Sequence, residues 1–156
     1  MIYTSSYNNC KTNKYKTYSI SEDRGKSVNY NGNVYPALAP KKEFWQIWHN
    51  NIGKLDYDVN NKYYIEEYYK QVLSKLNPEQ VYNKLDNSIL LCYENNTEFC
   101  HRHIVAAWLE IFLDKEVNEV KVEDNDIIEL YKPKYIKYYL ENYLNDNDIK
   151  ILVKRR

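Results

Sequence analysis

The chain has 156 residues, with 22 basic and 22 acidic side chains and a formal charge of zero, so no global field draws in a nucleic acid or an anionic membrane. That length closes a hydrophobic core without disulfides or metals, which predicts a single domain over residues 1–156. No apolar run approaches the roughly 20 residues of a membrane span, the N-terminus lacks the basic and apolar regions of a signal peptide, and three unevenly spaced cysteines fit reduced thiols; a soluble, cytoplasmic protein is expected.

In chain order, MIYTS and KTYSIS read as short strands separated by a polar turn-like segment. Residues 22–34 hold two of the three glycines and little periodicity, so they read as a loop, with Arg24 and Lys26 as candidate ligand contacts. After YPALAP the spacing of Phe44, Ile47, Trp48 and Ile52 predicts a helix with one apolar face, and His49 beside that stripe reads as a partly buried histidine. Ile65, Tyr68, Tyr69, Val72 and Leu76 mark the core face of a second helix. A third helix starts at Asn77 as N-cap with Pro78 in its first turn, and ends near Leu85.

Residues 88–93, SILLCY, form a nearly continuous apolar run, which suits a strand buried on both faces of a parallel sheet. A helix capped by Asn96 or Thr97 follows, then the alternating VNEVKV of residues 117–122, so residues 88–122 predict a strand, helix, strand unit. A last helix over residues 133–144 places Ile136, Tyr139, Leu140 and Tyr143 together, ILVK adds an edge strand, and KRR reads as a solvated basic end. The fold class is α/β: one compact domain with a small, mostly parallel sheet flanked by helices.

The chemistry concentrates in LLCYENNTEFCHRHIVAAWLE, which carries Cys92, Cys100, His101, His103 and Arg102. Ligands in open α/β sheets bind beyond the carboxyl ends of the strands, where this cluster falls. The 18 tyrosines and the scarcity of Gly, Pro and Arg follow an AT-rich codon bias; where Lys is the default cation, an Arg at position 102 points to a need for the guanidinium fork. Cys100 can be a nucleophilic or redox thiol whose pKa is depressed by the helix terminus and its histidine neighbours. Alternatively, Cys92, Cys100, His101 and His103 can hold zinc, although adjacent ligands and a seven-residue gap are not a standard signature. In the third reading both thiols pack as small apolar groups.

Together with the spacing of YSIS, YPALAP and YYIEEYYKQVLSKLNPEQVYNKL, the positions Cys92, Glu94, Cys100, His101 and Arg102 resemble the signature of the domain of unknown function 488 family: a strand ending in Cys, an acid two residues on, then Cys-His-Arg opening a helix. The resemblance covers roughly residues 1–123 and leaves a C-terminal helix and basic tail over 124–156. Where many relatives open with an Ile-Gly-His-Ser type sequence, this chain has Tyr3, Thr4, Ser5, Ser6 and Tyr7. The resemblance implies an α/β domain with a pocket around the cluster and supplies no reaction.

Two functions are carried forward. One is a small enzyme for a phosphorylated or nucleotide-like ligand, in which Arg102 and the helix terminus hold the anion, Arg24 adds a contact, Cys100 or His101 performs the covalent or proton-transfer step, and Glu94 serves as base or orients a donor. The other is a non-catalytic module binding a nucleotide or nucleic acid through the tyrosines and the loop around Arg24, with the Cys/His cluster structural or metal-bound.

Overall fold

The computed structural model describes residues 1–149, so the expected ILVK strand and the KRR end lie outside the described residues. Strand β4 (Ser88–Cys92) is buried along its whole length and lies inside a six-stranded sheet. On one side it pairs in parallel with β1 (Ile2–Ser6), on the other with β2 (Lys16–Ser19). Beyond β1 come β5 (Asn118–Glu123) and β6 (Asp126–Glu129), and beyond β2 the short β3 (Asn33–Val34), so the order is β3-β2-β4-β1-β5-β6. Only the β5–β6 contact among these neighbours is antiparallel.

Five helices cover the sheet: α1 (Lys42–Asn50), α2 (Tyr57–Gln71), α3 (Pro78–Leu85), α4 (His101–Leu113) and α5 (Tyr135–Asp146). All five contribute to one core, which also holds Ile2 and Leu90. On the opposite face Ile89, Leu91 and Val120 pack with Tyr7, Cys10, Tyr15 and Tyr30. Loop tyrosines thus close the face that has no helix, supplying large apolar area with a polar tip for the solvent side.

The helix boundaries have local causes. Asp56 and Asn77 each cap a helix, Asp56 accepting from the amides of Asp58 and Val59 and Asn77 from those of Glu79 and Gln80. Three expectations change, and one strand had no expectation. The α1 stripe is mostly exposed, Ile47 at 48 % and Ile52 at 56 %, with only Phe44 fully buried. His49 is exposed and stacks on Trp45. Leu76 falls beyond α2, after a 3₁₀ turn at Leu73–Lys75, and still packs on the core. The strand β6 joins β5 through Asp124 and Asn125, both left-handed (φ 51° and 66°), a pairing that suits a tight hairpin whose twist matches its strands.

The strand β1 is central yet rich in hydroxyls, and each buried one has a partner. Thr4 Oγ1 donates to Glu119 Oε1 at 2.7 Å, and Ser5 Oγ donates to the Val120 carbonyl at 2.6 Å. A hydroxyl in this position offsets its burial only while the bond is made. Thr4→Val keeps the shape and removes the donor from a buried carboxylate; we expect a loss of about 2 kcal/mol, read from the urea midpoint.

Candidate functional site

Cys92 ends β4, and the chain returns after a short loop with Cys100 at the N-cap of α4 in extended backbone (φ −152°, ψ 145°). Neither Asn96 nor Thr97 caps the helix: Asn95 closes a turn by accepting from the Thr97 amide and hydroxyl, each at 3.0 Å, and the Asn96 side-chain amide donates to the Tyr131 carbonyl. Cys100 forms no side-chain cap bond with the first-turn amides of α4, and its own carbonyl accepts from the His103 amide at 3.0 Å.

His101 orients the cluster. Its Nε2 lies 2.8 Å from the Ile20 carbonyl, which can only accept, so Nε2 carries the hydrogen and Nδ1 is the free acceptor. Nδ1 lies 3.5 Å from Cys92 Sγ, and Cys92 Sγ lies 3.7 Å from Glu94 Oε2. One donor atom each from Cys92, Cys100 and His101 fall within 4.8 Å of one another.

The two thiols are pushed in opposite directions. Burial opposes ionisation of Cys100, but the hydrogen bond from Cys92, the Arg102 charge and His101 outweigh it and hold its pKa well below the usual thiol value. Burial, and then the neighbouring Cys100, push Cys92 up. Burial followed by the Cys100 charge raises Glu94 to about 7.

Arg102 stands behind the cluster. It is 0 % exposed, and its fork grips Glu119 of β5, Nε at 3.0 Å from Oε1 and Nη2 at 2.7 Å from Oε2. Burial disfavours the guanidinium, yet the charges of Cys100 and Glu119 outweigh that and push its pKa up. Its Nη1 has no hydrogen-bond partner among the described residues. The expected anion fork is therefore occupied by the protein's own carboxylate, and Arg102 reaches Cys100 through charge. Glu119 was legible only as a phase: it falls two residues after Val117 on the same face of an alternating strand.

A cleft of ≈ 330 Å³ opens onto Cys92, Cys100, His101 and Glu94. Its walls are aromatic, from Trp45, Trp48, Tyr64, Tyr93 and Phe99, and its acids are Glu22, Asp23 and Glu94. Among the described residues no Lys or Arg lines it. Tyr7 accepts or donates at 2.6 Å to both Ser19 and Ser21, and its ring meets Tyr93 at 4.8 Å, which fixes one wall. Burial opposes ionisation of Asp23, but bonds from Tyr93, Gly25 and Ser27 outweigh it and hold the carboxyl at about 2. Gly25 is required in that turn, since at φ 79° an added Cβ would lie 2.5 Å from Tyr30 Cβ.

Of the residues singled out from sequence, Cys92, Glu94, Cys100 and His101 converge on the cleft. Arg24 is exposed in left-handed backbone (φ 60°) and does not line the cleft, although its neighbours Asp23 and Ser27 do; Lys26 is exposed as well. His103 faces a separate cavity, and burial followed by the Arg102 charge lowers its pKa to about 4. Tyr93, Asp23 and the two tryptophans carried no motif and were missed.

A family model described as the active DUF488-N3 subclade, DUF488-N3a, matches residues 3–111. The chain matches no curated protein and no solved structure.

Two expected outcomes follow from the electrostatics. Arg102→Met leaves Glu119 buried and unpaired, and we expect a loss of about 3–5 kcal/mol in denaturant unfolding. Glu94 has a folded pKa of about 7, above the roughly 4.3 of an unfolded Glu, so the folded state binds the extra proton. Its stabilising contribution is full below the unfolded value and is lost as pH rises through about 7. Urea midpoints measured across that window should fall with pH in the native chain and fall less in Glu94→Gln.

Proposed function

This chain belongs to the DUF488 family, and from that premise we propose that it is a small enzyme whose reaction centre is Cys100, with Cys92, His101 and Glu94 around it. The observation that supports it is a buried sulfur at the head of α4, backed by the Arg102 charge and open to an aromatic cleft. The word "active" in the description of the matched subclade agrees with an enzyme. Cys100 acts as the nucleophilic thiolate. The Cys92 sulfur lies within 4.8 Å of it, and His101 Nδ1 is the acceptor that can take a thiol proton. Glu94, protonated up to about pH 7, gives its proton to the departing group. In that step a bond forms between sulfur and the electrophilic substrate atom, the bond to the leaving group breaks, and Glu94 is left as carboxylate.

The substrate class follows from the walls. Aromatic side chains without a cationic lining suit a planar ring, such as the base portion of a nucleotide-like compound, better than a phosphate. The Arg102 charge serves the thiolate, so the anion that it stabilises is Cys100 itself.

A second reading is favoured by one observation: three donor atoms lie within 4.8 Å, and His101 already donates its other nitrogen to a backbone carbonyl, as metal-bound imidazoles do. Cys92, Cys100 and His101 would hold zinc with Glu94 alongside, and zinc would supply Lewis-acid chemistry at an open position.

The test is iodoacetamide alkylation across pH with intact-mass readout in a Cys10→Ala background, together with measurement of bound zinc. We expect Cys100 to react first with a midpoint well below the roughly 8.5 of a free thiol, and Cys92→Ser to raise that midpoint. A Cys100 that stays inert until urea unfolds the chain sinks the nucleophile reading. Stoichiometric zinc, with alkylation only after chelation, selects the metal reading.

A further inference from the structure

A second cavity, of ≈ 320 Å³, lies away from the cysteine cleft, between α4 and the start of α5. It is lined by His103, Ala107 and Glu110 of α4 and by Lys132, Lys134 and Lys137. His103 is 2 % exposed, and neither of its ring nitrogens has a hydrogen-bond partner among the described residues. Buried polar atoms are nearly always paired, so an imidazole with both nitrogens open in a cavity wall points to a group missing from that cavity. The α5 terminus faces the same need. Lys134, its N-cap, forms no side-chain cap bond, so the first-turn amides of this 12-residue helix carry no side-chain acceptor.

The charges agree in sign. Glu110 binds Lys132, whose Nζ lies 3.1 Å from Oε1 and 2.6 Å from the Val117 carbonyl. Lys137 lies 3.9 Å from the same Glu110 oxygen, beyond hydrogen-bond distance. Three lysines and one glutamate line the cavity, Glu110 pairing with Lys132 and more distantly with Lys137, so the lysines outnumber the carboxylate and Lys134 has no ion-pair partner among the described residues.

From this geometry we infer that the cavity is a binding site for a phosphate group, with the first-turn amides of α5, Lys134 and Lys137 as donors and the His103 N–H reaching it from α4. An oxyanion there accepts from the helix terminus, where the macrodipole favours negative charge, and supplies the acceptor that His103 lacks. This site is independent of the cysteine cleft and stands whether or not Cys100 is a nucleophile.

The experiment uses the full chain. Inorganic phosphate is titrated by calorimetry at low ionic strength, and amide shifts are followed by ¹⁵N NMR; a nucleoside monophosphate is titrated in parallel. We expect the largest shifts at Tyr135, Ile136 and Lys137, and at least a tenfold weaker Kd in Lys134→Gln/Lys137→Gln, whereas Lys54→Gln, remote from the cavity, matches the native chain. His103→Gln, which retains a donor, should bind better than His103→Leu. Tighter binding of the monophosphate than of phosphate, with the same amides shifting, identifies the phosphoryl end of a nucleotide as the source; equal binding identifies free phosphate. No shift at the α5 amides with either ligand, or equal affinity in the double lysine variant and the native chain, overturns the inference.

Discussion

The buried pair between Arg102 and Glu119 is the constraint on which the site depends. Desolvating two charges is costly, and the cost is offset only when the geometry is nearly ideal and further bonds are made. Here both carboxylate oxygens are engaged by the guanidinium, and Thr4 adds a third bond from the central strand. Three elements, α4, β5 and β1, are thereby tied at one point. A rotation of α4 about its axis would break that fork, so the helix has one angular setting over the sheet. Cys100 and His101, two residues and one residue before Arg102, inherit that setting and are held near Cys92.

The same pair explains the electrostatic character of the cleft. The guanidinium favours negative charge nearby and helps hold the Cys100 pKa below the usual thiol value. What remains to line the cleft is aromatic and acidic. Lysines in excess of their one carboxylate partner, Glu110, gather instead near the start of α5, around His103. A chain with zero net charge thus separates two local environments of opposite character.

Much of the fold was legible because periodicity and capping are local. The nearly continuous apolar run of β4, the N-cap at Asn77 and the amphipathic face of α2 each rest on short-range chemistry that tertiary packing left in place. Strand β3 was not legible because its two residues are both exposed on a sheet edge and show no alternation. The apolar stripe expected for the first helix misled because Ile47 and Ile52 have the right spacing, yet Ile52 lies beyond the end of α1 and no described element covers either residue. Periodicity reports which face a helix could bury, and only the packing decides whether anything covers it.

The sequence by itself determined that Cys92, Glu94, Cys100 and His101 would gather at the carboxyl end of a buried strand, since a strand, a short loop and a helix start leave them little freedom to separate. It could not determine the partner of Arg102. Glu119 lies 17 residues away across a helix and meets Arg102 only because β5 pairs with β1 and turns that residue toward α4. The aromatic walls were equally hidden, since Trp45, Trp48 and Tyr93 reach one cleft from separate segments. Spacing along a chain fixes contacts within one turn of a helix or one strand, whereas contacts between elements follow from sheet order and helix rotation, which a linear pattern does not encode.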